Sequence, residues 1–171
     1  MSRVAVRNAV ASYLENANVT NLTSVFPYPP KLTPEGDFYN QDAPNHTSGA
    51  IIFLWIEAQR ETRIALGGSV NGKKMVEYTF VLDCYFRSSE PKSEDASEMN
   101  DAFLDSLVNA IRANREAGTS TGVIFVWGEG QHGGGADVEV TSYYPRRLAS
   151  SQSITQTYSN IRVMVLEEIN S

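Results

Sequence analysis

The stretch AIIFLWIEA, residues 50–58, is apolar at every position through Ile56 and rich in β-branched and aromatic side chains. Strand side chains alternate between the two faces of a sheet, so an unbroken apolar run marks a strand covered on both faces. The chain must therefore build a sheet with something packed on each side. A second strand follows. Val76, Tyr78, Phe80, Leu82, Cys84 and Phe86 fall on one face, and Glu77, Thr79, Val81, Asp83 and Tyr85 on the other. Between the two runs lies Asn71-Gly72, the pair that suits a type I′ turn because both central positions need positive φ. The expectation is an antiparallel hairpin turning there.

The sequence around the hairpin reads as helices and further strands. Val6, Val10, Tyr13, Leu14 and Ala17 recur at helical spacing and predict an amphipathic helix over residues 2–17. A second, longer helix begins near Ser93, with Glu94 and Asp95 in its first turn. Its apolar stripe is Met99, Phe103, Leu104, Leu107, Val108 and Ile111; Arg112 and Arg115 close it ahead of Gly118. After Gly122, the runs VIFVW, DVEVTSYY and QTYSNIRVMVLEE all read as strands. Only the step from the long helix into the next strand offers a parallel crossover. The order predicts one α+β domain over residues 1–171, with a mostly antiparallel sheet and both helices packed on it.

Residues 18–49 differ in texture. They hold five of the seven prolines, with many Asn and Thr, and the aromatic residues Phe26, Tyr28, Phe38 and Tyr39. Proline lacks an N–H and fixes φ, which disfavours helix and central strand alike. Two readings stand: a loop folded over its own core, or a Pro-rich arm whose aromatic side chains dock on another subunit. A second contact candidate lies on the long helix. Glu94, Glu98, Asp101 and Asp105 are spaced four, three and four apart and form an acidic stripe off the apolar face. It is either a solvated face or an electrostatic contact surface.

Chemistry is sparse. The stretch FVWGEGQHGGGADVEV spells G-x-G-x-x-G at Gly128, Gly130 and Gly133. A dinucleotide site needs those glycines at the N-terminus of a following helix. Here Val138 and Val140 alternate with Asp137 and Glu139, which is strand spacing, so the segment reads as a loop joining two antiparallel strands. No G-K-[ST] phosphate loop, H-E-x-x-H or G-x-S-x-G string is present. His46 and His132 are far apart, and Cys84 sits in a strand pattern as a small core residue. No catalytic residue, metal ligand or cofactor site is expected. Trp55 and Trp127 are the platforms a ligand-binding β-rich module would use, although core packing suits them better. The net charge of −6 argues against a nucleic-acid grip, which needs a Lys/Arg surplus. Residues 1–18 lack a continuous apolar core and read as no secretion signal, and no apolar run approaches the roughly 20 residues that span a bilayer. Asn18, Asn21 and Asn45 head sequons, which fit ordinary polar loop composition.

Residues 60–114, RETRIALGGSVNGKKMVEYTFVLDCYFRSSEPKSEDASEMNDAFLDSLVNAIRAN, carry a resemblance. A glycine-containing hairpin leads into YTFVLDCYFR and then into an acid-headed helix with FLDSLVNAI. Together with the N-terminal helix, this layout resembles the tail terminator (tail completion) proteins of long-tailed bacteriophages. The glycine loop and the Pro-rich segment have no counterpart in it. The resemblance implies a non-catalytic virion protein that forms a homo-oligomeric ring, commonly a hexamer. Such a ring caps the tail tube at its head-proximal end and joins it to a head-completion or connector protein. It is assembled in the host cytoplasm, takes no cofactor and touches no membrane. DNA passes through without specific binding, which suits a like-charged lumen. A head–tail connector or another minor tail protein is the alternative within the same class. On the ring reading, Phe26, Tyr28, Phe38, Tyr39, Glu94, Glu98, Asp101 and Asp105 are the candidate contact residues.

Overall fold

The structure is a computed structural model, and it describes residues 2–29, 48–63, 73–89, 92–113, 123–126, 140–143 and 155–170. Among the described residues, two helices and a mixed sheet make an α+β fold. Helix α1, Arg3–Asn16, starts at Ser2, whose hydroxyl accepts from the Ala5 N–H at 3.2 Å as an N-cap. It ends at Asn18, which takes φ 52°, a left-handed value that asparagine tolerates better than most residues. Strand β1 is Leu22–Phe26, β2 is Gly49–Arg63 and β3 is Lys73–Ser88. Helix α2, Ser93–Ala113, is followed by β4, Val123–Val126, β5, Val140–Tyr143, and β6, Thr155–Asn170. No helix among the described residues is long and apolar enough to cross a membrane.

The sheet runs β1-β2-β3-β6-β4, with β5 also on β6. Its long central ladders are antiparallel, β2 with β3 and β3 with β6. The directly paired parallel strands are β1 and β2, a step that the expectation of a single crossover left out. The expected one is present as well, since β3 and β4, joined through α2, both run antiparallel to β6 and so run parallel to each other. The reason for the pairing of β1 is legible in the proline positions. All five prolines of residues 18–49 follow Phe26, so Leu22–Phe26 keeps its N–H groups and pairs at the sheet margin. A parallel neighbour needs a crossover of a dozen or more residues, and residues 27–48 make that connection.

The hairpin register corrects a second expectation. A two-residue turn at Asn71-Gly72 would set Val70 opposite Lys73. Arg63 instead faces Lys74, where such a turn would set Ser69. Asn71-Gly72 and the rest of the connection, residues 64–72, lie outside the described residues. A bulge between Ile56 and Ala58 shifts the register of β2 by one residue.

One face of the sheet carries both helices. Val76, Tyr78, Phe80, Leu82, Cys84 and Phe86 of β3 are buried there with Ile52 and Leu54 of β2 and Ile161, Val163 and Val165 of β6. Val6, Val10 and Leu14 of α1 and Phe103, Leu107 and Ile111 of α2 join the same cluster. Each large apolar side chain buried contributes about 1.5–3 kcal/mol against its exposed state. Tyr13 ties the helices together, its hydroxyl donating to the Ala110 carbonyl at 2.6 Å. The turn before β1 is held to α2 as well: Thr20 N–H donates to Ser106 Oγ, and Asn21 Nδ2 donates to the Met99 carbonyl.

Gly49 opens β2 at φ 124°, a backbone region open to glycine and strained for residues with a Cβ. The Asn21 carbonyl accepts from the next N–H, Ala50, at 2.7 Å. Gly49→Val is expected to lower the free energy of unfolding by about 1–3 kcal/mol in a denaturant titration. An unchanged midpoint would show that the β2 entry relaxes without strain.

Candidate functional site

The candidate contact residues that the structure describes fall into two groups. Phe26 ends β1 on the face away from the helices and stacks on Phe53 at 5.1 Å between ring centroids. Tyr28 lies 5.5 Å from Phe26 and 6.1 Å from Phe53, and is 39% exposed. Phe53 itself is fully buried. Phe26 thus belongs largely to its own sheet, while Tyr28 lies partly exposed at the rim of the same aromatic cluster. Phe38 and Tyr39 lie outside the described residues.

Glu94, Glu98, Asp101 and Asp105 are all exposed on α2, opposite the buried side formed by Phe103, Leu107 and Ile111. Glu94 in the first turn favours the helix through its dipole. The three further down gain little from it, and like charges three or four residues apart weaken a helix by about 0.2–0.5 kcal/mol per pair. The helix holds because its other side is anchored in the core. Since α2 covers one sheet face and Phe26 and Tyr28 sit on the other, the structure does not bring the two groups together; it puts them on opposite sides of the subunit.

A third cluster sits near the aromatic group, and the sequence reading missed its connection. Asp83 points to the sheet face opposite α1 and α2, yet is only 7% exposed. Its Oδ2 accepts from Trp55 Nε1 at 2.9 Å; its Oδ1 accepts from Tyr158 Oη at 2.5 Å and Asn160 Nδ2 at 2.8 Å. Trp55 comes from β2, and Tyr158 and Asn160 from β6, so the carboxylate pulls both neighbours onto β3. Tyr85 packs between Phe53 and Tyr158, at 5.9 and 5.0 Å. Beyond it, Arg162 makes a two-pronged ion pair with Glu57 at 3.1 and 3.3 Å, exposed and worth about 0–1 kcal/mol. The signal was present in the double-sided apolar run of residues 50–56. A neighbour of a strand covered on both faces is itself covered on both, and a buried aspartate then requires donors.

These environments favour neutral side chains. Burial pushes the Tyr85 hydroxyl up to about 12, helped by the charge of Asp83. Burial also raises Tyr158, with its hydrogen bond to Asp83 adding to the effect. On the helix face, burial and the 2.9 Å bond to Glu167 push Tyr78 up to about 12. The Cys84 thiol is held up by burial and by Asp83 beside it, which leaves it a poor nucleophile. With three donors in place, Asp83 works as an anchor for neighbouring strands. Among the described residues no group of His, Cys, Asp and Glu is placed to hold a metal ion. His46, His132, Trp127 and the glycines 128–135 lie outside the described residues.

No protein-family model matches the chain, and no curated protein matches it in sequence.

Two outcomes follow from the buried network. Asp83→Ala removes the shared acceptor of Trp55, Tyr158 and Asn160, which are partly buried; leaving a buried donor unsatisfied costs about 1–3 kcal/mol, so a loss in that range is expected in denaturant unfolding. A loss below about 1 kcal/mol would show the network to be replaceable by water. Tyr78 and Tyr85 have folded pKa values above the ordinary 10, so the stability they contribute is complete below pH 10 and is lost as pH rises towards 12. Phenolate absorbance of the folded protein should accordingly lag that of the unfolded chain over this window, and coincident titrations would contradict it.

Proposed function

We propose that this chain is the subunit of a ring that terminates a bacteriophage tail tube and joins it to the head. The observation that carries this reading is the strand–strand–helix run of residues 60–114, with its acid-headed helix, which resembles the tail terminator proteins. The reading goes with a finer layout: a long central helix packed on the sheet and, within residues 18–49, a Pro-rich arm that follows β1, Leu22–Phe26. The subunit carries out no chemical step. Its work is contact with copies of itself, with the tail tube protein and with a head-completion or connector protein, while DNA passes through unbound.

The placement of the two contact groups supports a ring. A closed ring is built from head-to-tail contacts, so each subunit needs two different patches facing different neighbours. Tyr28, at the rim of the aromatic cluster, and the acidic stripe of α2 lie on opposite sides of the sheet. An exposed aromatic ring is an efficient anchor, because rigid aromatic side chains carry much of the energy of protein interfaces. The acidic stripe weakens α2 as an isolated helix, a cost that a contact with a basic partner surface would offset. Phe38 and Tyr39 belong to the proposed arm on the sequence reading alone.

The test is mass in solution. Light scattering is expected to give about six times the 18.9 kDa of one chain. The double substitution Glu98→Lys with Asp101→Lys, on exposed positions, should reduce that mass while leaving the helix signal in circular dichroism intact. Tyr28→Ala should weaken the assembly by about 2 kcal/mol or more if its ring is a central anchor. A parent protein that stays monomeric at high micromolar concentration would contradict the ring.

A further inference from the structure

The two short strands β4 and β5 occupy the same margin of the sheet. Both pair antiparallel with β6, and β3 fills the other side of β6 along its whole length. Val126, the last residue of β4, faces Met164. Val140, the first residue of β5, faces Ile161. Antiparallel pairing retreats one residue on β6 for each residue gained on its partner, so the residue three places after Val126 would ordinarily face Ile161. Val140 stands fourteen places after it, and the chain therefore carries eleven residues more than the ladder needs. Strands β4 and β5 thus lie on one side of β6 and run in the same direction, so they are not the two antiparallel arms that the sequence suggested; residues 127–139 between them lie outside the described residues.

We infer that β4 and β5 are the two halves of one edge strand facing residues 158–167 of β6, and that the eleven extra residues are an insertion that protects this edge. A strand at a sheet margin presents a row of backbone donors and acceptors that can template another chain. Ten continuous residues would make such a template. The break leaves two pieces of four residues each, shorter than the usual strand of five or six. The opposite margin is blunted in the same spirit. There β1 has five residues and runs into Pro27, and the stretch of β2 beyond it carries the bulge at Ile56/Ala58 with Glu57, Arg60 and Glu61 exposed. Among the described residues, long central strands combine with two interrupted margins, a sheet that resists open-ended pairing.

The experiment closes the break. Residues 127–139 are replaced by Thr-Thr, the two positions needed to face Val163 and Arg162, and in a second variant by Thr-Gly-Gly-Thr, which leaves room for a bulge. At least one closed variant is expected to unfold cooperatively at a midpoint equal to or above the parent's. In light scattering it should grow with concentration beyond the parent's own size, and a version with Lys-Lys at the junction should grow less. If neither closed variant folds, the segment is part of the fold and the insertion is refuted. If a closed variant folds and keeps the parent's size, the break does not protect the edge. Each comparison is with the parent's own size, so the outcome does not depend on the ring.

Discussion

The carboxylate of Asp83 is the interaction on which the sheet most depends. It lies in the middle of β3, and its three donors come from both neighbouring strands. Strand side chains alternate, so a slip of one residue would turn Asp83 into the layer of Phe80, Leu82 and Phe86 and turn those side chains out. Burying an aspartate there without its donors would cost several kcal/mol. The apolar face alone makes the correct register favourable; the buried carboxylate makes the wrong one prohibitive. Once β2, β3 and β6 are fixed in this way, the helix face presents a single surface on which α1 and α2 settle.

Much of this was legible in the sequence, and the exceptions have physical causes. The alternation from Val76 to Phe86 marked the buried face of β3 because period two leaves little ambiguity over eleven residues. Strand β1 escaped notice because the prolines coloured the whole segment, although the first of them is Pro27. The Asn71-Gly72 pair suggested a turn from local chemistry, whereas the register is decided by long-range pairing that no dipeptide encodes. Alternation placed Asp83 on the second face of β3, but alternation alone does not say whether that face is covered. Of the contact residues, the exposure of Glu94, Glu98, Asp101 and Asp105 followed from helical spacing. That Phe26 would stack on Phe53 did not, since the pairing of β1 with β2 brings them together.

The fold divides the labour between its parts. The centre of the sheet is over-determined, with both faces covered and its buried carboxylate bonded. The margins hold short or interrupted strands and exposed charge. On the proposed ring reading, contact with other molecules falls to side chains the core leaves outside, chiefly Tyr28 on one side and the acidic stripe on the other. A ring subunit with two neighbours and two end partners would gain from this arrangement, because its outer surfaces can be fitted to partners without disturbing the register within.

The central claim is that this chain closes into a ring, and electron microscopy of the purified protein in negative stain tests it most directly. End-on class averages are expected to show closed rings with a central opening and a fixed number of subunits, about six for the proposed hexamer. Particles with no opening, or open filaments of varying length, would contradict it.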